Sequence, residues 1–406
     1  MKDTCPMFEH QSRLVEKNPP LYGLWWETGT GKSRALVELI KKNRASAVLV
    51  CPKSIKERWI RDIAAFPAPV IVITKEEFRR DYKKLPAARA LIIDEAHHFS
   101  NPKSQLHKAA LWWLKKHTPQ FVWLATATPY RSSPWNGYAL AALLGQPQNY
   151  REFRTTYFRE QFMGHRVIHV PKDDPATHAR LASFIRELGE VVTLDECVDM
   201  PPAVFEYETI PLTKRERKAI ASLTEPNTVV RYSKIHQIEN GTLKGNEYVP
   251  DTRYPNNNKI ERIRDIATEV PKLVIFAKYT LQVRAIADAL RKDKYAVFTL
   301  TGETKDADRV IREANEAHEA VIIINTDKAE GYELPTFQNV VYASLPWSMV
   351  SFLQSQGRVR RINKPQRVLY TILTSDGEID RAVFQSLEKK LDFNLKLYCE
   401  RKTISA

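Results

Sequence analysis

Short apolar runs alternate with amphipathic ones along two stretches of this chain of 406 residues. In the first stretch, LYGLWW (21–26), SAVLVC (46–51), PVIVIT (69–74), ARALIID (88–94) and QFVWLAT (120–126) read as strands. Between them, KSRALVELIKK (32–42), SIKERWIRDIAAF (54–66) and NPKSQLHKAALWWLKK (101–116) carry apolar residues at helical spacing. The second stretch repeats the scheme. KLVIFA (272–277), YAVFTL (295–300), AVIIIN (320–325), NVVYAS (339–344) and VLYTIL (368–373) read as strands, with helices over 280–292 and 306–317. Strands apolar on both faces and separated by helices predict parallel sheets covered on each side. The fold class expected is therefore α/β, with two sheets in tandem. In such sheets ligands collect at the C-terminal strand ends.

Three segments fall outside this scheme. Residues 146–200 mix QNYREFRTTYFREQF with PKDDPA (171–176). Interleaved basic and aromatic residues there fit a nucleic-acid contact, but an amphipathic helix packed on the first domain is the favoured reading. The passage GTLKGNEYVPDTRYPNNN (241–258) is polar and turn-rich, which predicts an exposed loop or hairpin in the second domain. Met200-Pro201-Pro202 marks the expected boundary, giving domains 1–200 and 201–406.

The chain holds 62 Lys and Arg against 48 Asp and Glu, a net charge of +14, which points to a polyanionic partner. Its four cysteines, Cys5, Cys51, Cys197 and Cys399, form no CxxC pair and no zinc set, so reduced thiols in the cytoplasm are expected. No run of 18 apolar residues predicts a membrane span, and the N-terminus carries no apolar signal-peptide core.

Candidate chemistry begins at ETGTGKS (27–33), between a strand and a helix. Thr28, Gly29, Thr30 and Gly31 form a loop whose backbone N–H groups can turn around phosphate oxygens. Lys32 brings charge to the β- and γ-phosphates, and the Ser33 hydroxyl can bind Mg²⁺. Trp26 stands where the first glycine of GxxxxGK[ST] belongs. LIIDEAHH (91–98) delivers Asp94 to a strand end, placed to hold Mg²⁺, and Glu95 as a base that polarises water. An acidic strand end also serves as a helix cap, but a strand-loop GKS followed by strand-DEAH makes ATP with Mg²⁺ the expected ligand. LATATP (124–129) sets Thr126 and Thr128 beside the acidic strand, where they are expected to sense Glu95 and His97. In QSQGRVRR (354–361), the spacing puts Arg358 and Arg361 on one face of a helical turn, as planar cations suited to phosphate.

GTGKS, DEAH, TAT and QxxxRxxR in this order resemble a superfamily 2 helicase, and most closely its SWI/SNF-type double-stranded DNA translocases. VLVCPKSIKERW (48–59) is similar to their motif Ia, including Trp59. DEAHHFSNPKSQLHKA (94–109), the passage 189–216, SKIHQIENG (233–241), NNKIERIRDI (257–266) and GEIDRAVFQSLEKK (377–390) are similar to further segments of that family. The resemblance implies two tandem RecA-like lobes with a nucleotide cleft between them. It implies that Gln11 reads the adenine edge and Gln354 positions the nucleotide. Arg358 and Arg361 would act on the γ-phosphate, with Lys32, Asp94 and Glu95 completing the catalytic set. KAEGYEL (328–334) resembles the family's motif V, with Gly331 at the turn and Glu333 where Asn or Asp is usual. Gly302 and Arg309, in TLTGETKDADR (299–309), fall in a segment that faces DNA in the family. Lys53, Thr74, Lys278 and Thr326 are further candidates for gripping DNA phosphates, with little sequence specificity.

The implied function is an ATP-dependent DNA helicase or translocase acting on duplex or branched DNA. Alternatives are an RNA helicase, the motor subunit of a restriction or defence complex with a protein partner, and an inactive nucleotide-dependent scaffold. The compact size resembles a bacteriophage or mobile-element member, which would work in the host cytoplasm.

Overall fold

A computed structural model of the chain describes residues 6–64, 68–130, 133–163, 166–197, 199, 201–241, 257–326, 332–361 and 366–389. It divides into two units, Met1–Asp199 and Met200–Ala406.

The first unit opens with helix α1 (Glu9–Lys17), strand β1 (Leu21–Trp26), α2 (Lys32–Asn43) and β2 (Ala47–Cys51). A 3₁₀ turn (Lys53–Ile55) leads into α3 (Lys56–Ile63), followed by β3 (Val70–Thr74), α4 (Lys75–Asp81) and β4 (Ala90–Asp94). Then come α5 (Gln105–His117), β5 (Phe121–Ala125), α6 (Trp135–Leu143) and α7 (Tyr150–Tyr157). A hairpin of β6 (Phe158–Met163) and β7 (Arg166–Pro171), α8 (Pro175–Glu187), β8 (Gly189–Val192) and the short α9 (Leu194–Cys197) complete it.

Its main sheet runs β3-β2-β4-β5-β1-β8, all parallel. Successive strand residues point to opposite faces, and the core divides accordingly. Leu24, Trp26, Leu49, Ile92 and Trp123 pack on one face, and Trp25, Val48, Val50, Ile93 and Leu124 on the other. Strands apolar at every position are needed because helices cover both faces.

The second unit begins with β9 (Val204–Ile210), α10 (Lys214–Ala221), α11 (Thr228–Glu239) and α12 (Asn258–Glu269). It continues through β10 (Lys272–Ala277), α13 (Thr280–Lys292), β11 (Val297–Leu300), α14 (Ala307–Glu316), β12 (Ala320–Asn325) and β13 (Asn339–Tyr342). It ends with α15 (Met349–Gln356), β14 (Leu369–Ser375) and α16 (Glu378–Glu388). The strand order is β11-β12-β10-β13-β14-β9, again all parallel. Phe276, Ile322 and Tyr342 line one face, and Ile275, Ile323 and Val341 the other. Each unit is thus a parallel sheet flanked by helices.

Each sheet has one strand more than the apolar pattern predicts. β8 is short, and Gly189 pairs with Gly23 of β1 so closely that a Cβ on Gly189 would lie 2.0 Å from the Gly23 carbonyl oxygen. β9 mixes glutamates with its apolar residues because it is an edge strand covered less completely. The mixed stretch after residue 146 is helix, hairpin and helix, not one amphipathic helix. Of the loop expected at 241–258, residues 242–256 lie outside the described residues, as does Gly331.

Candidate functional site

The order β4-β5-β1 places three strand ends side by side at the C-terminal edge of the first sheet. β1 delivers the loop 27–31, β4 delivers Asp94 and β5 delivers Thr126 between them.

The loop turns through Gly29 at φ +94° and Gly31 at φ +85°, values that favour glycine. Lys32 Nζ donates to the carbonyls of Trp26 (2.8 Å) and Glu27 (2.9 Å), which closes the loop on itself. Thr30 is buried and its hydroxyl donates to Glu27 O at 2.8 Å. The loop is backed by α1. His10 Nε2 lies 2.9 Å from Thr30 O, and Gln11 Nε2 donates to Thr30 O and Gly31 O, both at 3.3 Å. Gln11 Oε1 accepts from Phe8 N at the start of the helix, so its amide is fixed at both ends. Glu27 Oε2 accepts from Leu194 N at 2.7 Å, which ties the loop to α9. Thr28 and Ser33 are half-buried beside it.

Asp94 is buried, and both of its oxygens have donors. Trp59 Nε1 donates to Oδ2 at 2.9 Å and Glu95 N to Oδ1 at 3.0 Å. Burial, and then the nearby Glu95 carboxylate, push the Asp94 pKa up to about 6, against the opposing pull of Trp59 and Lys32. Glu95 sits at φ +55°, ψ +52°, a left-handed conformation that a non-glycine residue adopts only at some cost. His97 Nδ1 lies 3.1 Å from Glu95 Oε2 and 3.1 Å from Thr126 Oγ1, while Thr128 N donates to Thr126 Oγ1 at 3.2 Å. The acid, the histidine and both threonines are therefore one contiguous group.

In the second unit the C-terminal ends of β10, β12 and β13 are joined by side chains. Lys278 N donates to Ser344 Oγ at 2.7 Å, and Asn325 Nδ2 donates to Lys278 O at 3.0 Å. The Lys278 ammonium lies over the Trp347 ring at 4.7 Å. Gln354 and Arg358 are buried. Arg358 donates to Gln354 O (3.1 Å) and Tyr332 O (3.2 Å), and Arg361 pairs with Glu333 at 2.5 Å.

Residues 258–363 match the helicase conserved C-terminal domain. Over 321 residues, 75% of this chain, the sequence is 23% identical to the SWI/SNF-related matrix-associated actin-dependent regulator of chromatin subfamily A-like protein 1 of Xenopus laevis. The chain is thus similar to SWI/SNF-related helicases. It spans 32% of that Xenopus protein's length. Among solved structures, the Sulfolobus solfataricus SWI2/SNF2 ATPase core in complex with dsDNA aligns at a TM-score of 0.43 and 18% identity, over 95% of this chain and 91% of that one. Neither protein speaks to a bacteriophage origin.

One geometric expectation is corrected. Arg358 and Arg361 do not share a helical face. α15 stops at Gln356 with Gly357 as its C-cap, Arg358 lies in the following turn, and its carbonyl accepts from Leu334 N at 2.8 Å. Turn bonds from Arg358 N, Val359 N and Arg360 N carry the chain past Gly357, and Arg361 lies in a bridge beyond that turn. Of the residues expected to grip DNA, Lys53, Gly302 and Arg309 are exposed and Lys278 is half-buried. Arg309 pairs with Glu313 at 2.7 Å along α14. Thr74 and Thr326 are buried. The Thr74 hydroxyl caps α4, accepting from Glu77 N.

Two features of the two units were not legible from motifs. One is the Trp59–Asp94 hydrogen bond, for which an indole in the motif Ia segment was the only sequence signal. The other is a buried polar cluster in the second unit. Lys259 Nζ donates to Asp380 Oδ2 (2.7 Å), Asn240 Oδ1 (2.9 Å) and Ala343 O (3.1 Å). His236 lies 3.3 Å from Asp380 and 2.5 Å from the Tyr279 hydroxyl, and receives the Trp347 indole N–H at 3.3 Å. Glu239 accepts the Ile379 and Asp380 amides at the start of α16. Three segments that resemble the family, 233–241, 257–266 and 377–390, thus meet in one cluster.

Proposed function

We propose that this chain is a DNA-dependent ATPase that couples hydrolysis to movement along duplex or branched DNA. The observation that carries the reading is the grouping at one sheet edge of the glycine-turned loop, Lys32, the buried Asp94 and the Glu95–His97–Thr126 contact. In this reading the loop amides and Lys32 hold the phosphates. The fold family implies Mg²⁺, and the donors fit it, because Ser33 and Asp94 supply hard oxygen ligands. When bound, Mg²⁺ would screen the phosphate charge. Glu95 orients and polarises the attacking water, and its carboxylate is restrained by His97. The His97–Thr126–Thr128 chain supports a role in passing the nucleotide state onward.

Gln11 is proposed to read the adenine edge and Gln354 to position the nucleotide. Arg358 and Arg361 are proposed to act on the γ-phosphate, where permanently charged guanidinium groups are worth most. Glu333, as the ion-pair partner of Arg361, then orients that guanidinium. DNA rather than RNA is favoured by the likeness of 48–59 and 94–109 to the DNA-translocase segments. The charge of +14 supports a phosphate grip without base readout, through Lys53, Lys278, Gly302 and Arg309.

The test is ATP hydrolysis measured with single-stranded, duplex, forked and four-way DNA and with RNA. Wild type is expected to respond to duplex or branched DNA. Glu95→Gln is expected to keep ATP binding and lose about 10²-fold or more in turnover. Stimulation by RNA alone would reject the substrate, and undiminished hydrolysis by Glu95→Gln would reject the site.

A further inference from the structure

Lys278 directly follows β10, and Trp347 lies in the loop after β13. The two strands pair in parallel, so both residues come to the C-terminal edge of the second sheet. The Lys278 backbone is held on two sides, its N–H by Ser344 Oγ at 2.7 Å and its carbonyl by Asn325 Nδ2 at 3.0 Å. A fixed backbone does not decide where the charge lies, because a lysine carries it on a flexible stem. The Trp347 ring, 4.7 Å from the ammonium, gives it a resting place. An aromatic face attracts a cation without a net charge of its own, so this contact places the ammonium and leaves it a cation.

The ring is held in turn from within the fold. Trp347 Nε1 donates to His236 Nδ1 at 3.3 Å, and His236 is fully buried. An indole can only donate, so Nδ1 must offer a lone pair. Across the imidazole, Nε2 lies 3.3 Å from Asp380 Oδ1, which accepts. The two contacts together require the neutral tautomer with its proton on Nε2. Burial lowers the His236 pKa, with Lys259 and Lys278 acting in the same sense and Asp380 against them, so the neutral ring is the form present at pH 7. The Tyr279 hydroxyl also lies against Nδ1, at 2.5 Å. Asp380 is fixed by Lys259 Nζ at 2.7 Å and the Ser375 amide at 2.6 Å, both on Oδ2. A line of contacts thus runs from α16 through α11 to the strand edge: Asp380, His236, Trp347, Lys278.

We propose that His236 is a positioning residue for the phosphate grip, setting the Trp347 ring and through it the Lys278 ammonium. This rests on the DNA-dependent ATPase reading above, and adds to it a residue too deeply buried to touch DNA itself.

The DNA concentration for half-maximal ATP hydrolysis is measured on a duplex at several salt concentrations. Lys278→Gln is expected to raise that concentration about 5-fold or more, and to flatten its dependence on log salt by about 0.9, the share of one phosphate contact. His236→Phe keeps a ring and loses both hydrogen bonds. It is expected to shift both quantities in the same direction, while turnover at saturating DNA stays within about 2-fold. His236→Gln, whose amide supplies a donor and an acceptor, is expected to restore wild-type values. His236→Phe combined with Lys278→Gln should lose nothing beyond Lys278→Gln, since both act on one contact. If His236→Phe does not fold, Trp347→Phe is read in its place, because it removes the same hydrogen bond from a half-buried partner. A wild-type salt slope in that variant overturns the proposal, and so do losses that add in the double variant. An unchanged slope in Lys278→Gln overturns it too, by removing Lys278 from the grip. All three outcomes leave the motor reading standing. A wild type whose hydrolysis ignores DNA rejects the motor reading, and the positioning role with it.

Discussion

Trp59 donates its indole N–H to Asp94 Oδ2 at 2.9 Å, and both residues are buried. The bond joins α3 to the end of β4 and holds the carboxylate in one orientation. It also favours the charged form of a carboxyl whose pKa burial has pushed up to about 6. Trp59→Phe keeps an aromatic ring and removes the donor. The expected cost is about 1–3 kcal/mol of stability, read by urea unfolding. The Mg²⁺ concentration for half-maximal hydrolysis is expected to rise about 10-fold or more, as when a residue that orients a metal ligand is lost. An unchanged Mg²⁺ requirement would mean that Trp59 only fills space.

Gly31 couples the loop 27–31 to Gln11. Its φ of +85° already disfavours a side chain, and a Cβ there would lie 2.2 Å from Gln11 Nε2. Gly31→Ala is expected to displace the Gln11 amide and distort the loop. A stability loss of about 1–3 kcal/mol should follow from the strained backbone. ATP affinity, measured with a fluorescent nucleotide, should fall at least about 10-fold, since the N–H groups no longer converge.

The buried cluster of the second unit supplies a pH dependence. Burial, and then the nearby Asp380, push Glu239 up to about 7 from its ordinary value of 4.5. Between those values the folded state binds the extra proton. The contribution of Glu239 is therefore fully present below pH 4.5 and is lost as pH rises through 7. His236 opposes it, because burial lowers its pKa, so its contribution is lost as pH falls below 6.5. The wild-type curve should accordingly be flatter than either group alone would make it. Glu239→Gln fixes the neutral form. Measured by unfolding from pH 4.5 to 8, its stability relative to wild type should rise with pH, by up to a few kcal/mol. A difference that does not change with pH would show that Glu239 is ionised throughout.

Much of the fold was legible because parallel strands covered on both faces must be apolar at nearly every position. AVLVC, ALIID and FVWLA announce themselves. β8 and β9 did not, since an edge strand tolerates glutamates. The hairpin β6–β7 was hidden because FREQFM is half polar and its support comes from Trp135, more than 20 residues earlier. Of the candidate site, the loop 27–33 and the 94–97 segment carried their own chemistry in local spacing. Trp59, His10 and Lys259 reach their partners across 35, 20 and 121 residues, separations over which a single sequence holds no pairing signal.

By itself the sequence determined the periodicities, hence two α/β units, and the residue types able to hold a phosphate and a cation. Both follow from local physics: side-chain alternation along a strand, and glycine's freedom in a tight loop. Only the tertiary structure decided which strand ends lie side by side, that Thr126 touches the histidine beside Glu95, and that Arg358 leaves its helix before Arg361 meets Glu333. It alone showed an exposed phenylalanine on an anchored hairpin. Such facts depend on packing between distant segments, where the free energy of one contact is small and its place is set by everything around it.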